Sequence, residues 1–127
     1  MTGAVQHVLS VLVVALNEER HLPELRAALG RLHLPDGWRL ETILVDGGSR
    51  DATVEVARAA GFEECLVLPG ASIPVCRNRA LQAARGHILA FLDADCLPEP
   101  DWFQQALPWL EKPLPVLLGY PVRPPES

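Results

Sequence analysis

The stretch Val8-Leu-Ser-Val-Leu-Val-Val14 decides the fold class of this chain. Apart from Ser10, every residue in it is valine or leucine. A strand with one face in water alternates apolar and polar residues, whereas a strand covered on both faces is apolar almost throughout. The stretch therefore predicts an interior strand of a parallel sheet, with helices packed on both faces.

Helices and further strands alternate after this strand, through short connections. Leu22, Leu25, Leu29 and Leu32 share one stripe of a predicted helix, and Pro23 falls in its first turn, where the missing N–H is harmless. Strands are predicted at residues 40–45, 65–68, 87–92 and 114–118, and helices at 53–60, 72–85 and 99–107. The alternation predicts an α/β fold, a three-layer Rossmann-like domain with a mainly parallel sheet and right-handed crossovers.

Capping residues indicate where the predicted helices begin and end. Ser49 or Asp51 is expected to cap the second helix, which should stop at Gly61. Gly86 stands where a left-handed residue would end the third helix. Pro108 is expected to kink or end the fourth helix, because it lacks an N–H and its ring clashes with the preceding turn.

Composition limits the class of protein. With 127 residues, 49% of them apolar, the chain is long enough for one domain with a core. Its net charge is −5 and its basic residues are dispersed, which argues against a nucleic-acid partner. Cys65, Cys76 and Cys96 are odd in number and too widely spaced for a zinc motif, so we expect small buried side chains in a reducing compartment.

The apolar run at residues 8–16 is the segment that most resembles a targeting signal. It is far shorter than a membrane span, no basic residue precedes it, and no small-residue cleavage site follows it. We therefore expect a cytoplasmic protein without a transmembrane segment.

Polar residues follow three of the predicted strands. They are Asn17 and Glu18, then residues 46–51, then Asp93 and Asp95. Parallel α/β sheets bind ligands outside the carboxyl ends of their strands, so these segments are expected to meet at one edge of the sheet.

Asp93 and Asp95, separated by Ala94, place two like charges at the end of an apolar run. Such charges require compensation by a cation, by amide donors or by open water. Carboxylate pairs suit a hard cation such as Mg²⁺ or Mn²⁺, with coordination positions left for a substrate's phosphate oxygens. The alternative is that one of these acids caps a helix starting near Pro98.

Two other segments carry possible anion-binding groups. The sequence Asp-Gly-Gly-Ser-Arg-Asp at residues 46–51 precedes a helix, so its amides could cradle an anion, although an ordinary strand-to-helix turn has the same composition. Arg77 and Asn78 fall in the first turn of a predicted helix, where the guanidinium could pair with phosphate or with Asp95, or could remain solvated.

Four ordered segments resemble the family 2 glycosyltransferases of GT-A fold. They are residues 9–19, residues 45–53, Arg77-Asn78 followed by Ala80, and residues 92–95, and the likeness covers about residues 8 to 110. The chain is similar to the N-terminal, nucleotide-sugar-binding half of such an enzyme.

The resemblance implies a role for each matching residue. Asp46 corresponds to the acid that reads the nucleotide base, usually uracil, and Asp95 to the acid that holds Mn²⁺ or Mg²⁺ on the diphosphate. Asp93 corresponds to the acid near the ribose and sugar. The remaining residues implied to contact the nucleotide sugar are Ala15, Asn17, Glu18, Gly48, Ser49, Arg77, Asn78 and Ala94.

The chain departs from the family pattern at two positions and in its extent. The family commonly has a second aspartate where this chain has Gly47 and an aromatic residue where it has Leu16, so nucleotide preference is open. Residues 1–127 are expected to form a single donor-binding domain without the acceptor-binding half, which supplies the catalytic base. We therefore assign no catalytic residue and expect inverting transfer, from a donor such as a UDP-sugar, only in the complete enzyme.

Other functions compete with this interpretation. A nucleotidyltransferase favours a glycine-rich basic loop after the first strand, where this chain has Ala-Leu-Asn-Glu-Glu at residues 15–19. A haloacid dehalogenase phosphatase or a response regulator would need its acids after other strands. A non-catalytic remnant that binds the donor or a partner is also considered, and Trp102, Phe103 and Trp109 could then cover an exposed edge or form a homo-oligomer.

Overall fold

Strands and helices alternate through the part of the chain that the structure describes, which is residues 7–111 of a computed structural model. The elements are β1 (His7–Ala15), α1 (Leu22–Gly30), β2 (Trp38–Asp46), α2 (Thr53–Ala60), β3 (Glu64–Val67), α3 (Ile73–Ala83), β4 (Ile88–Phe91) and α4 (Trp102–Leu110). The strands form one parallel sheet in the order β3-β2-β1-β4. The predicted α/β fold is confirmed.

β1 is an interior strand whose side chains enter two separate cores. Leu9, Val11 and Val13 belong to a core that also contains buried residues of α1, α2 and α4. Leu12 points to the other face and packs with residues of α3, including Cys76. Both faces of the strand are thus covered, which explains why its sequence lacks polar alternation.

The starts of α1, α2 and α3 and the end of α2 agree with the predictions. Pro23 lies in the first turn of α1. Gly61 ends α2 with a left-handed φ of 108°, which glycine adopts without steric cost. The Asp51 carboxylate accepts a 3.0 Å hydrogen bond from the N–H of Thr53 at the start of α2, whereas Ser49 bonds elsewhere. The Ser72 hydroxyl accepts from an N–H in the first turn of α3.

Gly86 does not end a helix in the left-handed conformation, and that prediction is wrong. α3 ends at Ala83, Ala84 is extended, and Gly86 is not among the positive-φ residues. A Cβ on Gly86 would lie 2.4 Å from Ser10 Oγ and 2.7 Å from the carbonyl oxygen of Val8. Glycine is needed here because the backbone crosses directly against β1.

Glu41 forms a buried link between β2, β1 and the segment that enters β4. The residue is only 3% exposed, and Oε1 accepts from the Ser10 hydroxyl at 2.7 Å and from the N–H of Arg85 at 2.9 Å. Ser10 Oγ in turn accepts from the N–H of Gly86 at 2.9 Å. These bonds hold the start of β4 against β1, and nothing in the sequence had singled out Glu41.

α4 begins three residues later than predicted, at Trp102. It also ends later, because Pro108 does not end it. The helix continues to Leu110, and the N–H of Glu111 still donates to the Leu107 carbonyl oxygen at 3.0 Å. A proline in the last turn removes a single backbone hydrogen bond, and the burial of Phe103 and Ala106 on the core side holds the helix.

Of the three aromatic residues considered for covering an exposed edge, Trp102 is half-buried and Phe103 is part of the core. That ring is fully buried and lies 5.0 Å, centroid to centroid, from Trp38, whereas Trp109 is exposed.

Cys76 is buried as expected, but Cys65 and Cys96 are half-buried. The strand predicted at residues 114–118 lies outside the described residues. Within residues 7–111, none of the helices combines the length and apolar character that a membrane span requires.

Candidate functional site

The carboxyl ends of β1, β2 and β4 lie at one edge of the sheet, because these strands are parallel and adjacent. The three polar segments follow these ends. They are the β1–α1 loop with Asn17 and Glu18, the loop of residues 46–51, and residues 93–96. The three segments therefore follow strand ends at one edge of the sheet, as predicted, and this edge is the candidate site.

Asn17 joins the first two loops. Its backbone is left-handed, with φ 57°, a conformation that asparagine tolerates better than most residues. Its N–H donates to Ser49 Oγ at 2.7 Å, and its side-chain oxygen accepts from the N–H of Arg50 at 2.8 Å. The exposed side chain of Asn17 is thereby held in place at the edge of the site.

A second group of bonds joins the same loops closer to the helices. The N–H of Glu18 donates to Thr53 Oγ1 at 2.9 Å, and the N–H of Ala52 donates to the Glu19 carboxylate at 3.1 Å. The carboxylate of Glu18 lies 2.8 Å from Nδ1 of His21. Sequence reasoning missed Glu19 and Thr53, because residues distant along the chain become partners only in the fold.

Three consecutive amides of the β1–α1 loop are bound by the protein's own side chains and are not available to a triphosphate. The N–H groups of Asn17, Glu18 and Glu19 donate to Ser49, Thr53 and Asp51 respectively. A nucleotidyltransferase of this sheet type would need donors at this position. The geometry therefore weighs against that competing function.

Asp46 ends β2 and shapes the turn that follows it. The residue is only 1% exposed, and Oδ2 accepts from the N–H of Gly48 at 3.0 Å and from the N–H of Ser49 at 2.8 Å. The Ser49 hydroxyl donates to Oδ1 in a very short hydrogen bond. Gly48 has a φ of 106°, and a Cβ there would lie 3.1 Å from the backbone nitrogen of Gly70, so glycine is required. One acceptor position on Oδ1 remains.

The sequence had suggested that amides of the loop at residues 46–51 could bind an anion. The amides of residues 47–50 are already bound within the protein, which argues against this hypothesis. The N–H of Gly47 donates to the Ala15 carbonyl oxygen at 3.1 Å, and those of residues 48–50 donate to the side chains of Asp46 and Asn17. The protein's own acceptors thus fill the turn. Ala15, which is buried, contributes this backbone oxygen.

Asp51 is the carboxylate whose pKa the fold lowers. The hydrogen bond from the Thr53 hydroxyl is the main cause; desolvation opposes it, and backbone hydrogen bonds from Thr53 and Glu19 add to it. The ionised form is therefore favoured in the folded protein.

The Asp51→Asn protein is expected to be less stable than the wild type at neutral pH, with a difference that narrows in acid. The stabilisation from ionised Asp51 is fully present above the ordinary pKa of 3.8 and is lost as the pH falls below that value, through the lowered pKa of the folded state. Melting temperatures from neutral pH to about pH 2.5 measure this. Asp36→Asn, at an exposed turn, is the matched control. A gap that stays constant over this range would contradict the assignment.

Asp93 and Asp95 stand exposed after β4, with buried Ala94 between them. The N–H of Leu92 donates to the Leu12 carbonyl oxygen at 3.0 Å, which holds the segment beside β1. Neither carboxylate accepts a hydrogen bond from any residue between 7 and 111. Neither caps α4, whose N-cap position is occupied by Asp101, so the capping alternative is wrong. The two charges are left to a cation or to solvent.

Cys96 completes a cluster with the two acids. One carboxylate oxygen of each aspartate and Cys96 Sγ all lie within 4.8 Å of one another. Burial raises the pKa of the Cys96 thiol, the backbone hydrogen bond to Asp93 opposes this, and the charges of Asp93 and Asp95 raise it further. Carboxylate oxygens are the ligands that Mg²⁺ and Mn²⁺ prefer, so the donor set fits a divalent cation. Sequence reasoning missed Cys96, although its position directly after Asp95 was the available signal.

Arg77 and Asn78 are exposed on α3. The Arg77 guanidinium lies 6.0 Å from the centre of the Phe91 ring, at the end of β4. Among the described residues it makes no ion pair with Asp95. It therefore stands close to the segment that carries the acids, with its charge available to an anionic ligand.

A cavity of about 450 Å³ opens beside the loop that follows β2. Its walls are Asp46, Gly48, Ser49 and Asp51, residues of α2, and Val67 and Pro69 beyond them. It does not reach residues 93–96. The candidate site is thus an open edge of the sheet with a cavity at the β2–β3 side and the acidic pair at the β4 side.

Comparison with known proteins shows which proteins share this sequence and fold. The chain is 30% identical over 112 residues to the glycosyltransferase AglE of Haloferax volcanii, covering 84% of this chain and 36% of AglE. It thus spans about a third of the length of that relative.

Two groups of solved structures share the fold. The mannosyltransferase PcManGT of Pyrobaculum calidifontis, solved with GDP-Man and Mn²⁺, superposes with a TM-score of 0.75 at 27% identity, covering 83% of this chain and 32% of PcManGT. The 1–349 fragment of S. aureus TarS, solved with UDP-GlcNAc, gives a TM-score of 0.71 at 25% identity, covering 81% of this chain and 31% of the fragment. The sequence profile of Glycosyl transferase family 2 matches residues 10–126. The chain therefore belongs to glycosyltransferase family 2.

Proposed function

We propose that this edge of the sheet binds a nucleoside-diphosphate sugar together with a divalent cation, and that it provides the donor site of an inverting glycosyltransferase. The observation that supports the proposal most directly is the pair Asp93 and Asp95. Two exposed carboxylates without a donor among residues 7–111 stand beside the β1 loop of a family 2 fold. A cation shared with a diphosphate would offset their repulsion.

Each end of the site would hold a different part of the donor. We assign Asp95 to the cation on the diphosphate, and Asp93 with Ala94 to the ribose and sugar. Arg77 and Asn78 would face the nucleotide from α3, where the guanidinium adds positive charge near the phosphates. The base and ribose would lie against the first two loops, through Ala15, Asn17, Glu18, Asp46, Gly48 and Ser49.

Asp46 would contact the base through the single acceptor position that its turn leaves on Oδ1. Its other acceptor positions already hold Gly48 and Ser49. Uracil and guanine both carry N–H groups that suit such an acceptor, so this contact alone does not select one base. The room for the base beside Asp46 would make the selection, because guanine is the larger base. We propose uridine, which agrees with the TarS fragment solved with UDP-GlcNAc, while PcManGT was solved with GDP-Man.

The chemistry requires parts beyond the donor site. A bound divalent cation would act as a Lewis acid on the departing diphosphate. An acceptor hydroxyl would attack the anomeric carbon from the opposite side and lose its proton to a base. We assign that base to no residue between 7 and 111, and we propose that these residues form a donor-binding domain.

A ligand panel tests this function. The melting temperature should rise when UDP and Mn²⁺ are added together, rise less with UDP and a chelator, and rise less with GDP or TDP in place of UDP. Mg²⁺ in place of Mn²⁺ separates the two candidate cations. If none of these nucleotides raises the melting temperature in the presence of either cation, the proposal is wrong.

A further inference from the structure

The N–H groups of three consecutive residues attach the β1–α1 loop to the segment that begins α2. Those of Asn17, Glu18 and Glu19 donate to side-chain oxygens of Ser49, Thr53 and Asp51 respectively. All three acceptors lie in residues 49–53, between the end of β2 and the first turn of α2. The conformation of the loop therefore depends on a segment more than thirty residues further along the chain.

The loop needs this support because its backbone is strained at Asn17. That residue has a φ of 57°, and it is the only residue other than glycine with a positive φ between residues 7 and 111. A side chain makes the left-handed conformation costly, so surrounding contacts must maintain it. If the bonds from residues 49–53 were lost, the loop would relax and carry Asn17 and Glu18 away from the place assigned to the base and ribose.

Thr53 is the centre of this attachment and has no surface to offer a ligand. The residue is fully buried, and its hydroxyl accepts from the N–H of Glu18 and donates to the Asp51 carboxylate. Asp51 also accepts from the N–H of Thr53, at 3.0 Å. A reciprocal bond completes the junction, because the Glu19 carboxylate accepts from the N–H of Ala52 at 3.1 Å. We call Glu19, Asp51 and Thr53 the loop clasp.

We propose that the loop clasp positions the β1–α1 loop for the nucleotide, and that Thr53 is its central positioning residue. The clasp holds the loop in one conformation before the donor arrives, so binding does not have to order it. The inference rests on the proposed function, because it concerns the base and ribose end of that donor site. The clasp joins the segments after β1 and β2, whereas the acidic pair follows β4, so the contribution of a cation should not depend on it.

Thr53→Val in the full chain tests this role, because it removes the hydroxyl and keeps the shape of the side chain. UDP affinity is measured by calorimetry, with Mn²⁺ and with a chelator, at a temperature at which circular dichroism shows each variant folded. Thr53→Val should bind UDP on the order of tenfold more weakly in both conditions. The factor by which Mn²⁺ strengthens UDP binding should stay the same. Thr53→Ser keeps the hydroxyl and should remain within about twofold of wild type.

Thr42→Val is the matched control. Thr42 is another fully buried threonine, and its hydroxyl accepts from the N–H of Glu63 at 3.0 Å, but it lies inside β2, and Glu63 precedes β3 at the amino edge of the sheet. Thr42→Val and Thr53→Val should both lower the melting temperature, since each leaves a backbone N–H without its acceptor. Only Thr53→Val should weaken UDP binding.

The outcomes separate this inference from the proposed function. Wild-type UDP affinity in Thr53→Val would show that the clasp only stabilises the fold, and the donor site would stand without it. Equal losses in Thr53→Val and Thr42→Val, a Thr53→Ser protein as weak as Thr53→Val, or a loss seen only with Mn²⁺ would also overturn the inference. If folded wild type binds no UDP with either cation, both proposals fail.

Glu19→Ala provides a second variant in case Thr53→Val does not fold. Glu19 is partly exposed, and its truncation removes the bond to the N–H of Ala52 while leaving Thr53 in place. This variant should bind UDP about threefold more weakly or worse. An unchanged UDP affinity in Glu19→Ala would likewise contradict a positioning role for the clasp.

Discussion

The Asp95→Asn protein is expected to lose nearly all of the increase in melting temperature that Mn²⁺ and UDP give together. A ligand at a hundred times its dissociation constant stabilises a protein by about 2.7 kcal/mol, which is ~10 °C for a chain of this size. Replacing the carboxylate by an amide removes the charge that would hold the ion. A hundredfold loss of affinity at the same concentrations would leave a shift of about 2 °C or less.

Asp36→Asn is the control for this experiment. Asp36 is also an exposed acid, but it lies in the turn before β2, at the opposite edge of the sheet from residues 93–96. The change in net charge is the same, so the full shift should persist. An Asp95→Asn protein that keeps the wild-type shift would show that the cation, if bound, is held elsewhere.

Among the glycines of residues 7–111, Gly86 should be the one whose replacement by alanine destabilises the protein most, by about 3 kcal/mol. The added Cβ would meet Ser10 Oγ at 2.4 Å, and it would also meet the backbone oxygen of Val8 and the backbone nitrogen of Ser10, at 2.7 Å and 2.9 Å. Backbone atoms in a central strand cannot move away cheaply. The start of β4 must therefore shift, which breaks the hydrogen bonds that hold it to Ser10 and Glu41.

Urea denaturation measures this effect as a lower midpoint with an unchanged slope. Gly30→Ala, at the end of α1, is the matched control, because its nearest contact is the flexible end of Arg26 at 3.4 Å. That substitution should be neutral or stabilising by about 0.5 kcal/mol, since alanine is the better helix former. Equal midpoints for the two variants would refute the close contact at Gly86.

The strands, the starts of α1, α2 and α3, and the end of α2 could be predicted because their causes are local. An uninterrupted apolar run at residues 8–14 has few alternatives to a covered strand, and a leucine stripe specifies one face of α1. Gly61 ends α2 for a reason confined to its own backbone. Gly86 was misread because its constraint comes from β1, more than seventy residues earlier in the chain.

The candidate site divides in the same way. The positions of Asn17, Asp46, Asp93 and Asp95 at strand ends followed from the strand pattern alone. What their side chains contact did not, because Asp46 is occupied by its own turn while Asp93 and Asp95 are not. Chemically identical carboxylates therefore differ in their capacity to bind a ligand, and this difference depends on which hydrogen-bond donors surround each of them.

The sequence by itself determined an α/β chain with a parallel sheet and with its acids at the ends of strands. The spacing of apolar residues and the succession of strands and helices along the chain are local properties of the sequence. The tertiary structure alone decided that Glu41 is buried as a link to β4, that the loops after β1 and β2 satisfy each other's amides, and that Cys96 joins the acidic pair. These outcomes depend on distances between segments far apart in the chain, and such distances exist only once the sheet has formed.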